Sequence, residues 1–489
     1  MLYDKCLGRQ PTAPMAVNSA SSGMTEATDS RSIPAETQPS RTLKDRHLQL
    51  MGMGAAIGAG FFLSSGSAIH EAGPGLLLAY LLAGTVMYLI MRALGELALA
   101  YPSAGSFTTY ATKFLGPLAG FIMGWSYWLG ALLVGIAEIT AVGILLRTWF
   151  PGIPQWVPAL GAVVLLYAIN IQSVRSFGEA EFWMAIIKVA TILGALLCGV
   201  AILLFRIGDV GRQSSISNLW MYGGFLPNGF SGVLAALPTV VFAFGGVEVI
   251  GLAAAETERP EHTLPQAIRG IIYRIIFIYV GSLTIVMMLY PWNRFEPMRS
   301  PFVLVLQQAG LSAAAGVVTF VAITALLSSC NCGLFASSRM LRSLACSGQA
   351  PRRLQSLSTQ GIPHFSVSLS GTAMLIGVGL NYVMPERLFG YLLTMVAWLI
   401  LLVWTNITLT HLLYRRAVSR GQAKRVSFRM PAAPYTNWLV LLAIGFVAVM
   451  LAIHESSVIT LYIVLSWFGL LTVAYLVKAP WQSKRNGWD

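Results

Sequence analysis

The chain has 489 residues, of which 56% are hydrophobic and only 10% charged, with a mean hydropathy of +0.69. A soluble domain carries about 25% charged residues, so a water-exposed globule is excluded. The net charge of +13 does not mark a nucleic-acid partner, because the basic residues gather in alternate loops between apolar stretches, as in membrane proteins.

Residues 1–41, rich in Ser, Thr, Ala and Pro, read as a disordered tail. They carry no apolar run of the kind a cleavable signal needs, and Met15 or Met24 is an alternative start. About twelve apolar stretches of roughly 20 residues follow, each able to cross a bilayer core of about 30 Å. They begin near Leu48, Leu76, Leu118, Trp156, Phe182, Gly232, Ile268, Leu311, Phe365, Leu388, Tyr435 and Ser457. The first is broken at Gly54-Ala55-Ala56-Ile57-Gly58-Ala59-Gly60-Phe61 and the sixth at Phe242-Ala243-Phe244-Gly245-Gly246-Val247-Glu248. Unwound backbone is tolerated inside a membrane only where it lines a protein cavity. Two such breaks at corresponding places in two halves point to the binding site of a secondary transporter. Loops holding Arg175, Arg259, Arg339, Arg352, Arg415 and Arg425 face those holding only Arg147, Arg206, Arg212, Arg294, Arg299 and Arg387. This places both termini in the cytoplasm, consistent with an even number of spans.

The breaks have a chemistry of their own. An amino acid zwitterion carries a carboxylate and an ammonium that both lose water on binding. Helix N-terminal N–H groups supply donors and partial positive charge, so those around Gly58, Ala59 and Gly60 suit the carboxylate. Carbonyls near Ile57, Phe242 and Phe244 suit the ammonium, with Ala243 and Gly245 completing the second break. Such a site reads the part common to all amino acids. The alternative is that these glycines only permit close helix packing.

Three ionisable residues lie deep in apolar sequence: Glu138, Lys188 and Glu248. Each costs on the order of 2.5–3.5 kcal/mol to insert charged, so each is a functional candidate. The proton of Lys188, with Glu138, could couple uptake to the proton gradient. The rival for Lys188 is a snorkelling side chain, since Glu181 stands seven residues before it. Glu248 is expected to fix the unwound segment by accepting backbone N–H bonds. Ser328 and Asn331 either line the cavity or bond between helices. The six histidines fall near span ends or loops, and neither they nor the five cysteines have metal-ligand spacing. No metal and no cofactor is expected. Cys198, Cys330 and Cys332 read as buried thiols.

Several motifs in order carry a family resemblance: RHLQLMGMGAAIGAGFFLSSGSAIHEAGPG from Arg46, FGEAEFWMAIIKVATI from Phe177, VFAFGGVEVIGLAAAETERPEHTLPQAI from Val241, and SSCNCGLFASSRMLRSLACSGQAPRRL from Ser328. The chain resembles bacterial amino acid permeases of the amino acid–polyamine–organocation superfamily over roughly residues 42–480. FVLVLQQAGLSAAAG and LNYVMPERLFGYLL most resemble proline-specific members. Permeases for histidine, for D-alanine, D-serine and glycine, or for aromatic amino acids are the alternatives.

The resemblance implies an all-α integral membrane fold of 12 transmembrane helices. Two inverted five-helix repeats, 42–206 and 231–416, begin with discontinuous helices 1 and 6. The joining loop is 207–230, a cytoplasmic loop covers 417–434, the added helices cover 435–478, and 479–489 is a tail. It further implies that Phe242 stacks over the substrate as an extracellular-side gate and that Lys188 takes the place of a sodium ion. Glu96, Glu256 and Arg339 become cytoplasmic gate contacts. The expected partners are an amino acid, protons and the lipid bilayer of the bacterial inner membrane, with no nucleic acid. Ala59 stands where the family usually has threonine, and Cys332 where serine is usual. A sodium-coupled symporter, an exchanger and a non-transporting sensor are the rival functions. An enzyme is disfavoured because no nucleophile–base pair or paired-carboxylate centre is visible.

Overall fold

The computed structural model describes residues 57–103, 105–172, 174–253, 259–358, 360–453 and 458–486. Every regular element among them is helical. The chain runs through α1 (Ala59–Phe62), α2 (Ser64–Ala72), α3 (Leu76–Ala100), α4 (Phe107–Leu115), α5 (Pro117–Leu146), α6 (Trp156–Asn170) and α7 (Val174–Phe205). There follow α8 (Gly208–Gln213), α9 (Gly229–Ala235), α10 (Leu237–Phe244), α11 (Val249–Ala253), α12 (Pro260–Tyr273), a π-helical segment (Arg274–Gly281) and α13 (Ser282–Leu289). The last are α14 (Pro301–Gln308), α15 (Ser312–Cys346), α16 (His364–Val383), α17 (Leu388–Ser419), α18 (Tyr435–Ile453) and α19 (Val458–Asn486).

Among the described residues, ten helical stretches are long and apolar enough to cross a membrane, and α6 is a shorter apolar helix. With no water in the hydrocarbon to satisfy backbone groups, helices are the economical solution for a single chain of this composition. The ten include Ser64–Ala100, which turns at Gly73, where φ is +57° and glycine is needed.

Most helices begin where apolar sequence begins, but two do not. α7 starts at Val174 rather than near Phe182, and α12 at Pro260 rather than near Ile268. Hydropathy marks where lipid begins, while a helix can continue past that level. The PEHTLPQAIRG turns of α12 are polar and extend beyond the apolar zone.

The interior is built from α1, α3, α5, α10, α15 and α17, which carry most of the fully buried side chains. The outer helices α18 and α19 turn most of their apolar surface outward: Leu442 is 72% exposed and Val477 71%. In a membrane protein, outward apolar surfaces of this kind face lipid or a partner helix.

Candidate functional site

The sixth apolar stretch is broken, and the break sits slightly later than the sequence alone indicates. α10 continues through Phe244, and α11 resumes at Val249. Between them Gly246 takes φ +90°, a conformation costly for any residue with a Cβ. Its N–H donates to Glu248 Oε1 at 3.3 Å, so the carboxylate holds the turn from within. Residues 54–56 of the first break lie outside the described residues. From Gly58 onward a helix begins at Ala59, runs one turn to Phe62, and resumes at Ser64 after Leu63.

The two broken helices touch beside their breaks, α1 against the end of α10. A Cβ placed on Gly60 would stand 2.6 Å from the Cα of Ala243, so backbone meets backbone. The start of α1 is also held by a charge. Glu138, reaching from α5, accepts from the Ala59 N–H at 3.0 Å and from Ser329 Oγ at 3.0 Å. A carboxylate at a helix N-terminus satisfies an otherwise orphan donor and complements the helix dipole.

The carbonyls at the end of α10 are partly committed. Phe242 O accepts from Gly245 N at 3.0 Å, and Ala243 O accepts from Tyr279 Oη at 3.0 Å. Tyr279 stacks on Tyr80 with ring centroids 5.2 Å apart, and both rings meet Phe244 edge-on. Phe242 is buried, its ring at 83° to that of Phe389 and 6.3 Å away. Ile57 is also fully buried.

A cavity of about 50 Å³ lies beside the second break. Gly246, Glu248 and Val249 form one wall, and Ser126, Tyr127, Gly130, Ala131 and Val134 of α5 another. Ser329, Cys332, Gly333 and Ala336 of α15 and Val396, Leu399, Ile400 and Val403 of α17 close it. The wall is mostly small or apolar, with Glu248 the one carboxylate on it.

Lys188 does not snorkel. It is fully buried, and its Nζ lies 3.4 Å from Ser328 Oγ. Ser328 in turn donates to Glu181 Oε1 at 2.6 Å. Glu181, whose place seven residues before Lys188 favours the snorkelling alternative, is also fully buried. Its signal was present: seven residues are two helical turns, so Glu181 and Lys188 share a face. Asn331 bonds between helices, accepting from Asn170 Nδ2 at 2.7 Å. Cys330 and Cys332 are buried free thiols.

Of the gate candidates, Glu256 lies outside the described residues. Arg339 places its guanidinium 3.1 Å over the Phe335 ring, which stacks on Phe177 at 4.0 Å. Glu96 is buried and accepts from Arg415 Nη1 at 2.9 Å and from the Met430 N–H at 2.7 Å, with His411 Nε2 at 3.0 Å. His411 falls near a helix end, yet it is fully buried. Asn437 Nδ2 lies 2.9 Å from its other ring nitrogen.

The Amino acid permease family matches residues 47–486. The chain belongs to this family. It is 42% identical to the uncharacterized amino acid permease YtnA of Bacillus subtilis over 90% of the chain and 95% of that protein. It is 42% identical to Amino-acid permease AapA of the same organism, with the same shares covered. The aromatic amino acid transport protein AroP of Escherichia coli K12 is 42% identical over 90% of the chain and 96% of its own length. The permease is therefore a multi-pass membrane protein of amino acid transport. Its Ala59 offers only a backbone donor at the α1 start, and Cys332 gives the cavity a weak donor where a hydroxyl would be strong.

Proposed function

We propose that the permease is a proton-coupled amino acid symporter of the bacterial inner membrane, working by alternating access. The observation that carries this reading is Glu138 on the Ala59 N–H, with Lys188 buried alongside. Charged Glu138 holds the donor that a substrate carboxylate needs and repels that carboxylate. Protonation neutralises Glu138 and frees the N–H, so proton and substrate enter together. The ammonium faces the carbonyl ends of α10 and Glu248. Lys188 supplies a cation where a sodium-coupled carrier would hold an ion.

The twelve-span arrangement, with inverted repeats over 42–206 and 231–416, is part of this reading. Contact between Gly60 and Ala243 supports it, since it brings the first helix of each proposed repeat together at its break. The basic loops around Arg339, Arg352 and Arg415 support a cytoplasmic location for that face and for both termini.

The cavity wall supports a neutral side chain. Proline remains the first candidate, from the FVLVLQQAG and LNYVMPERLF motifs. An aromatic substrate is the second reading, favoured by the likeness to AroP and by the small residues Gly130, Ala131 and Gly333 on the cavity wall. Uptake of labelled proline and phenylalanine into vesicles, with sodium replaced by choline at two external pH values, tests both points. Sodium-independent uptake that rises as external pH falls is expected, and uptake that needs sodium and ignores pH overturns the coupling.

A further inference from the structure

We propose that Glu181 is a proton relay that carries the proton of Lys188 to the cytoplasmic side through a second cavity, separate from the substrate cavity. The proposal rests on the proton-coupled reading above and assigns it an exit route.

Two facing stripes of side chains define the route. On α15, Ser328, Asn331, Phe335 and Ser338 recur at intervals of three and four, so they lie on one face. On α7, Phe177, Glu181 and Lys188 stand four and seven apart, again on one face. The stripes are joined by Lys188 Nζ to Ser328 Oγ at 3.4 Å, and by Ser328 Oγ to Glu181 Oε1 at 2.6 Å. A hydroxyl that both accepts and donates can pass a proton: Ser328 takes one from the Lys188 ammonium as it gives its own to Glu181. Lys188 is left as the neutral amine and Glu181 as the neutral acid.

Below Glu181 the polar chain continues to Asn331, whose side chain interacts with the Glu181 carboxylate. Both residues are fully buried. Asn331 already accepts from Asn170, and Asn170 lines a narrow cavity of about 10 Å³ with Phe177, Ser338 and Arg339, room for about one water. The stacked rings of Phe177 and Phe335 lie on the same two stripes between Glu181 and Ser338. They form an apolar plug over the exit, with Arg339 seated on Phe335. Water entering this cavity would collect the proton from Glu181 and return it to the anion. The other groups facing the pair are Glu138, Arg274 and the Cys332 thiol. Cys332 also lines the substrate cavity, so it stands on the partition between the two paths.

The test uses purified permease in liposomes, reading proton uptake with a pH dye and labelled proline or phenylalanine entry in parallel. Wild type is expected to move protons with the amino acid. Glu181→Gln keeps the shape but cannot carry a proton. It should lose at least tenfold in coupled proton flux, while amino acid exchange at equal pH continues. Glu181→Asp, still titratable, should restore part of the flux with a shifted pH profile. Ser328→Ala, which cuts the link while leaving both ionisable groups, should repeat the loss even if Glu181→Gln fails to fold. Wild-type proton flux in Glu181→Gln or in Ser328→Ala overturns the relay. Absence of proton movement in wild type overturns the coupled reading itself, a distinguishable result.

Discussion

Gly58 and Glu138 stand so close that a Cβ on Gly58 would lie 2.1 Å from Glu138 Oε1. The same carboxylate receives the Ala59 N–H and the Ser329 hydroxyl. The start of α1 is therefore clamped by α5 and α15 through one anion, and any change at Gly58 is felt there first. Gly58→Ala should drive the carboxylate off Ala59 and abolish uptake. The check is transport normalised to the amount of protein in the membrane. Normal uptake in that variant would separate the clamp from transport.

The clamp also fixes the sign of a pH dependence. In the proposed mechanism ionised Glu138 competes with the substrate carboxylate for one N–H, and protonated Glu138 releases it. Wild-type affinity for an amino acid should therefore be higher at pH 6 than at pH 8. Glu138→Gln imitates the neutral form, so its affinity should be flat across that range. Thermal shift with and without substrate at both pH values reads the difference.

Lys188 sits fully buried with Ser328 as its near partner. Moving one charge through 100 mV supplies about 2.3 kcal/mol, which is about fiftyfold accumulation. Lys188→Ala should forfeit that gain and equilibrate substrate without concentrating it, while exchange continues. Steady-state accumulation ratios at an imposed potential are the measurement. Undiminished uphill uptake would remove Lys188 from the coupling.

The fold class and the second break were legible because glycine and apolar runs act locally. A Gly-Gly pair inside an apolar stretch can hardly stay helical when a carboxylate two residues on can hold it open. What could not be read was which partners meet across the bundle. Nothing along the chain says that Glu138 reaches Ala59, 79 residues away, or that Tyr279 takes the Ala243 carbonyl. Glu181 is a different case. Its two-turn spacing from Lys188 puts it on the same face, and its place near the start of the apolar run favours the snorkelling alternative. Helix α7 in fact starts at Val174, which draws Glu181 inside.

If the cavity beside the second break takes the substrate side chain, its size sets a preference. A Cβ on Gly130 would meet Leu399 at 3.6 Å, an ordinary contact, so Gly130→Ala should fold normally and only narrow the cavity. One methyl group in an apolar pocket changes discrimination by about tenfold at the low end. Phenylalanine transport should fall by about that factor, and proline, being smaller, should fall much less. Ratios of kcat/KM for the two substrates decide it, and equal losses would place the side chain elsewhere.

The loop after α17, residues 420–434, offers a stability test. Glu96, with its side chain 2% exposed, gathers His411, Arg415 and the Met430 N–H on one carboxylate. Arg92 adds a bond to the Arg429 carbonyl and lies 3.9 Å over the Phe428 ring. Loop, α3 and α17 are thus tied at one buried anion. Removing one member of a buried charged cluster costs about 3–5 kcal/mol, because its partners are left uncompensated. Arg415 is 24% exposed and can recover some hydration, so the low end applies. Glu96→Ala should lower the melting temperature and speed tryptic cleavage at Lys424 and Arg425. Arg212→Ala breaks only a 3.7 Å pair whose side chains are 77% and 86% exposed. Such surface pairs are worth about 0–1 kcal/mol, so this variant should melt and digest as wild type does. Equal behaviour of the two variants would mean that the loop is held by packing of Phe428 and Met430 and not by the anion beneath it.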